Sequence, residues 1–452
     1  MPMERKRLQQ LAALVLAVGL ISGCSLFQSL PEDQSSQETP SESPSQSPEQ
    51  SPQESPSHKV MLRVFQYQGD YKEAYDQVTQ KFSESNKDIS LSIESPKEGK
   101  DYREALKARF NSGDEPDVFN ISGPQDILTW KDKLSDLSGM EATQFVIEGL
   151  LKDVTMEDQV YGLPYSIEGY GLVYNTEILE KAQIDIEKID SFQALEIAVK
   201  KLDEQKKDLK IDAVFAFPAK ENAETGLYLS NLFLSPEFEG DAFKTYYAKT
   251  VAFKYGDAFK KLVDLFNQYS VQPSYEMDYK KQVEEFFLPG KVAIIPQGSW
   301  IINTIENSDK KMLTKIGLMP FPVEGFKENA SPIGVSMYWA VNKSKPQEVQ
   351  KAARDFINWL YLSEEGQRSI SENLKFIPPY KGFSSDSVSD PLSEFILSQA
   401  RSKKFINWVF RAYPEGWGLN TLGPDISAYV QGKLAWDEVI KKAKSDWEQK
   451  RK

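Results

Sequence analysis

A single cysteine, Cys24, occurs in the 452 residues, and a lone thiol rules out a fold stapled by disulfides within one chain. Any globular part must therefore be held by a hydrophobic core. The position of that cysteine is equally restrictive. Arg5, Lys6 and Arg7 make a basic start, Leu11 to Ile21 an apolar stretch, and Ser22-Gly23 supplies the small residues a peptidase requires beside its cut. The apolar stretch falls well short of the roughly 20 residues that span a bilayer. Residues 1–23 read as an export signal rather than a transmembrane helix.

The run Leu20-Ile21-Ser22-Gly23-Cys24 resembles the lipobox of bacterial lipoproteins. That resemblance implies removal of the leader and acylation of Cys24, and two or more acyl chains give a lasting membrane anchor where one does not. From Cys24 to His58 the chain reads as a disordered tether. It is almost free of large apolar side chains after Leu30, and Ser-Pro recurs at Ser43-Pro44, Ser47-Pro48, Ser51-Pro52 and Ser55-Pro56. Such a segment spans about 30 Å as a flexible coil and up to about 100 Å if largely polyproline-like.

The remainder, from residue 59, is long enough for about two or three domains. Its organisation is legible from periodicity. Leu62 to Phe65 reads as a strand, and Tyr71, Tyr75, Val78 and Phe82 follow at helical spacing. Ile89 to Ile93 alternates as a strand does; Tyr102, Leu106 and Phe110 mark a helix stopped by Gly113; Asp117 to Ile121 reads as a third strand. Further short apolar runs are Gly171 to Tyr174, Ala213 to Phe217, Val292 to Ile295 and Ile316 to Met319. Helical stripes come at Ala353, Phe356, Ile357 and Leu360, and at Val439 and Ala443. Strands alternating with helices give an α/β class with helices on the faces of the sheets.

Several kinds of chemistry are excluded. The only histidine, His58, lies at the edge of the tether, so the globular part has no Ser-His-Asp or Cys-His nucleophile system and no Cys/His zinc site. No phosphate-binding loop is present. Ser308-Asp309-Lys310-Lys311 matches a Ser-x-x-Lys pattern without companion motifs, and no cofactor or metal is expected. The net charge is −13, or −15 once residues 1–23 with their net +2 are set aside. That balance lacks the cationic field nucleic-acid binding requires. Paired carboxylates remain available to a glycoside hydrolase.

Six motifs in order resemble the solute-binding proteins of bacterial ABC sugar importers, of the maltodextrin-binding type. They are Leu62 to Tyr67, Gly113 to Phe119, Tyr161-Gly162-Leu163-Pro164-Tyr165 with Leu172 to Asn175, Pro289 to Ile294, Gly298-Ser299-Trp300, and Tyr338 to Asn342. The resemblance implies a two-lobed periplasmic-binding-protein-like fold with discontinuous lobes and a three-strand hinge. The crossings are expected near Tyr161 to Gly169, Gly317 to Phe321 and Lys375 to Tyr380. The lobes would be residues 59–165 plus 320–378, and 166–319 plus 379–452. It further implies a monomeric receptor that captures a sugar, expected to be an oligosaccharide, and hands it to an ABC permease and its ATPase. A surface glycoside hydrolase and an adhesion module are the alternatives.

A pyranose ring has two apolar C–H faces and a belt of hydroxyls, so aromatics and hydrogen-bonding side chains together are what to seek. Trp300, after Gly298-Ser299, falls where the resemblance places a stacking tryptophan, and Glu168 where it places a carboxylate for sugar hydroxyls. Gln66, Tyr67 and Asp70 in the loop after the first strand, and Gln125 at a helix start, are hydrogen-bonding candidates. Trp339, Tyr413 and Trp417 are further stacking candidates. Trp130, Trp359, Trp408 and Trp436 are expected in the core.

Overall fold

The computed structural model describes residues 59–97, 101–323, 330–384 and 387–452. Cys24, the leader, the tether and His58 lie outside the described residues. In chain order the strands are β1 (Val60–Phe65), β2 (Ile89–Glu94), β3 (Val118–Ile121), the two-residue β4 (Thr155–Met156), β5 (Gln159–Val160) and β6 (Leu163–Pro164). They continue with the long β7 (Ile167–Asn175), β8 (Ala213–Phe215), β9 (Val292–Gly298), β10 (Ile316–Met319), β11 (Ser331–Val335), β12 (Tyr338–Val341) and β13 (Phe405–Asn407).

They form two main sheets, one per lobe. The first runs β2-β1-β3-β12-β6 and the second β13-β11-β7-β9-β8, with β10 also on β7. β1 is parallel to both β2 and β3, as strand–helix–strand units require. The connecting helix Lys72–Ser85 buries Tyr75, Val78 and Phe82, the face its sequence spacing marks out. Asp101 caps the helix Tyr102–Ser112 by accepting from the Glu104 amide at 3.0 Å. Gly113 ends that helix at a φ of +80°, a left-handed turn that suits glycine. The helix Gln347–Leu362 buries Ala353, Phe356, Ile357 and Leu360.

The lobes meet where the chain passes between sheets. The first crossing is at Tyr165-Ser166. Tyr165 N–H donates to Met337 O at 2.8 Å, Ser336 N–H to Ser166 O at 2.9 Å, and Ile167 N–H to Ile377 O at 3.0 Å. Two buried phenols brace this point, Tyr361 donating to Tyr165 O (2.7 Å) and Tyr380 to Pro164 O (2.9 Å). The second crossing is not at Gly317 to Phe321. There β10 stays on the second sheet, antiparallel to β7 with Ile316 opposite Asn175 and Met319 opposite Leu172. β11 also stays, paired with β7 and β13, and the chain changes lobes only at Ser336-Met337, before β12 joins β3. The third passes Ile377, bridged to Ile167, and Tyr380, bridged to Val146. Ile147 and Lys381 extend that contact, donating to Pro379 O and Phe145 O. Residues 379–381 therefore pack with the first lobe, and the boundary at 378 falls a few residues early.

Candidate functional site

The cleft between the lobes holds two cavities. The smaller, about 100 Å³, is bounded by Tyr71 and Gln68 from the first lobe, Ser299, Trp300 and Asn303 from the second, and Glu168 beside the hinge. The larger, about 330 Å³, lies between Tyr67, Arg103 and Gln125 on one side and Leu227, Arg411 and Tyr413 on the other.

Glu168 is the second residue of β7, so its neighbours Ile167 and Gly169 face the opposite way. It is half-buried. Burial pushes its carboxyl upward from the ordinary value, and the Arg411 guanidinium opposes that shift without forming an ion pair or hydrogen bond with it. Three phenols surround this carboxyl. Tyr67, Tyr71 and Tyr228 are all held above their usual range, burial being the main cause and the Glu168 charge a further one. They stay protonated at neutral pH and can each donate and accept. Arg411 lies 5.4 Å from the Trp408 ring and 5.7 Å from the Phe410 ring, and among the described residues its Nη1 reaches only Met337 Sδ, at 3.9 Å.

Trp300 is half-buried at the wall of the smaller cavity. Its ring sits 5.0 Å from Tyr228 and 6.3 Å from Tyr170, and its indole N–H donates to Gln297 Oε1 at 2.7 Å. Gln125 is half-buried in the first turn of the helix Pro124–Trp130 and borders the larger cavity. The amide and hydroxyl of Ser122, just before that helix, are taken by Asp126 at 2.7 and 2.6 Å. Tyr413 touches the larger cavity from its floor, only 4% exposed, with its hydroxyl 3.3 Å from Ser230 Oγ.

Three expected contacts lie outside both cavities, and a fourth, Trp417, borders the larger one but is buried beneath its surface. Trp339 is enclosed in the first-lobe core, 4.7 Å from Tyr165, with its N–H donating to Tyr361 Oη at 2.8 Å. β12 is paired on both edges, with β3 and β6, and all four of its residues are buried. Trp417 is fully buried in the second-lobe core, 4.8 Å from Trp447, and donates to Ala443 O at 2.8 Å. Gln66 is buried and closes on its own loop, both its amide atoms bonded to the Gln68 backbone at 2.6 Å. Asp70 is exposed in the single turn Gly69–Tyr71 and lines neither cavity. Trp408 and Trp436 are buried and Trp130 and Trp359 half-buried against Phe110 and Phe82.

Other cleft residues carried no usable signal of their own. Tyr71 accepts from Asn303 Nδ2 at 2.9 Å, a bond that joins the two lobes across the cleft. In sequence it is one more aromatic on a helical stripe. Tyr228 lies in the π-helical stretch Glu224–Leu229, where the 3.6-residue period is broken and a face cannot be read off spacing. Arg411 lies two residues before Tyr413. A carboxylate, neutral phenols, a guanidinium and an indole face in one cleft can satisfy a polyhydroxylated solute on several sides. No group of three or more metal-ligating side chains occurs among the described residues, and no helix among them is long and apolar enough to cross a membrane.

Solved structures share this architecture. The apo form of RafE from Streptococcus pneumoniae is 17% identical, covers 88% of this chain and all of its own, and superposes with a TM-score of 0.71. The putative binding protein MsmE of Bacillus subtilis, in an open conformation, is 19% identical, with 88% and 99% covered and a TM-score of 0.70. A sugar transporter from Bacillus licheniformis in complex with stachyose is 18% identical, with 86% and 100% covered and a TM-score of 0.61. At these identities the likeness is one of fold. No curated protein sequence matches the chain. A family model does match, over residues 77–393, more than two thirds of the chain, and by that match the chain belongs to the bacterial extracellular solute-binding protein family.

Proposed function

We propose that this chain is the sugar-capturing receptor of an ABC importer, taking an oligosaccharide into the interlobe cleft and delivering it to a membrane permease driven by an ATPase. The observation that carries the reading is Glu168, a half-buried carboxylate with no side-chain partner among the described residues, ringed by Tyr67, Tyr71, Tyr228 and Trp300 where the two lobes meet. An unpartnered acceptor in a desolvated cleft is costly unless a ligand supplies donors, and sugar hydroxyls do so while their C–H faces cover the rings. Two cavities in the cleft suit a solute longer than one ring. Structures of the same fold in complex with raffinose and stachyose support the ligand class. Gln125, Tyr67, Glu168, Trp300 and Tyr413, with Tyr71, Tyr228 and Arg411, are the proposed contacts. Acylated Cys24 and the tether would hold the protein, as a monomer, at the extracytoplasmic face of the membrane.

Titration calorimetry of the purified protein against raffinose, stachyose, maltotriose and chitotriose tests this. One sugar bound per chain is expected, weakened in Glu168→Gln by about 1–3 kcal/mol because an amide is the poorer acceptor. The sugar should be recovered intact after prolonged incubation. Steady conversion to shorter sugars that Glu168→Gln stops, or no binding across the panel, would overturn the proposal.

A further inference from the structure

Trp300 is tied to the body of the second lobe by two buried glutamines. Gln297 Oε1 accepts the Trp300 indole N–H at 2.7 Å and the Gly298 amide at 3.2 Å. Gln297 Nε2 donates to Gln282 Oε1 at 2.9 Å, and Gln282 Nε2 donates to the main-chain oxygens of Ala216 (2.9 Å) and Pro296 (3.2 Å). The two side chains are 4% and 0% exposed. The order of donors and acceptors admits one arrangement. Turning Gln282 over would face its oxygen to two carbonyls and its nitrogen to the Gln297 nitrogen. The relay thus donates in one direction, from the indole through both amides to fixed backbone oxygens.

The backbone supplies a second restraint. A Cβ on Gly298 would lie 2.3 Å from the Trp300 ring, so the ring rests against bare main chain. Gln282 itself stands in the π-helical stretch Lys281–Phe287, a geometry that occurs mostly as a single wide turn and frequently at functional sites. The contrast with other tryptophans is informative. Trp359, Trp408 and Trp436 have indole nitrogens buried with no partner among the described residues, so this protein tolerates an unpaired indole where the ring only fills space. The half-exposed Trp300 instead has two buried primary amides committed to it.

We infer that Gln297 and Gln282 are positioning residues that hold the plane of Trp300 for the ligand, without touching the ligand themselves. The inference rests on the reading of Trp300 as a sugar platform. It predicts that both glutamines act through the indole N–H, which a double-mutant cycle isolates. Gln297→Met and Gln282→Met are made in the wild type and in Trp300→Phe, which has no N–H to hold. Affinity is measured by calorimetry for raffinose, stachyose and maltotriose. Against the tightest-binding sugar, each methionine variant should lose about ten-fold in the wild-type background, as when a buried hydrogen bond is left half-made. In the Trp300→Phe background the loss should shrink to within about two-fold. Equal losses in both backgrounds would overturn the relay.

The ligand-free protein gives a second readout. The Trp300 indole proton, assigned by its disappearance from the NMR spectrum of Trp300→Phe, should shift and exchange faster with water in Gln297→Met. An unmoved, equally protected proton would also overturn the relay. If Gln282→Met does not fold, Gln297→Met carries the test, since it leaves both main-chain bonds of Gln282 in place. Failure of the platform reading is separately visible: Trp300→Ala would then bind as wild type does, or none of the sugars would bind.

Discussion

Replacing Glu224 by glutamine should flatten a fall in stability that the wild-type protein shows as pH rises. Glu224 begins the π-helical stretch Glu224–Leu229, is 3% exposed, and has Oε1 buried with no partner among the described residues. Burial, with a smaller contribution from the Glu221 charge, pushes its carboxyl from 4.5 up to about 8. At neutral pH the folded protein therefore holds a proton here that the unfolded chain has released. Between those two values the native state binds more protons, so stability falls as pH rises. The contribution is fully present below the unfolded value and lost as pH passes the folded one. One pKa unit corresponds to about 1.4 kcal/mol, and integrating from about pH 5 to about pH 7.5 gives a loss on the order of 3 kcal/mol. Glu224→Gln is neutral throughout. Urea melts of both proteins across that range should show the gap between them moving by about 3 kcal/mol in favour of the variant. Asp153, pushed up to about 7 by burial, titrates in both proteins and cancels in the difference. A gap constant with pH would refute the reasoning.

Trp300→Ala should cost about 1–3 kcal/mol of sugar affinity with little change in melting, because the ring is half-exposed in the cleft; a collapse in melting at unchanged affinity would mark it as core. Asn303→Ala removes the donor to Tyr71 and should cost about 0.5–1.5 kcal/mol, seen by stopped flow mainly as faster release; an unchanged off-rate would show that the bond does not bear on closure. Cys24→Ala should appear in the soluble fraction or as an unprocessed precursor while still binding sugar. Mature-length protein retained in membranes would contradict the anchor.

The alternation of strands and helices was readable because it rests on local periodicity: the stripe Tyr75, Val78, Phe82 and the strand Ile316–Met319 fold as their spacing dictates. The route between lobes was not. An apolar run such as Gly317 to Phe321 looks the same whether it crosses a hinge or stays beside β7, and only the pairing of β10 and β11 decides. The cleft was legible in part for a similar reason. Glu168 and Trp300 are fixed by motif position at the ends of strands and reach the cleft. Trp339 and Trp417 are buried by partners distant in sequence, Tyr361 and Trp447 among them, which no local pattern announces. Gln66 spends both amide atoms on Gln68 two residues away.

β7 begins at the hinge with Ile167 and carries Glu168 next to it, and its Tyr170 lies opposite Gly298, two residues before Trp300. Glu168 on β7 and Trp300 in the turn directly after β9 are therefore held by one sheet, and their spacing does not depend on the first lobe. Tyr67, Tyr71 and Gln125 belong to the first lobe. If these groups take sugar as proposed, the second lobe is a preassembled half-site on which a solute first lands. The first lobe then arrives as the clasp. Substitutions on the second lobe would register in the earliest encounter complex, and those on Tyr71 or Gln125 in how long the sugar stays.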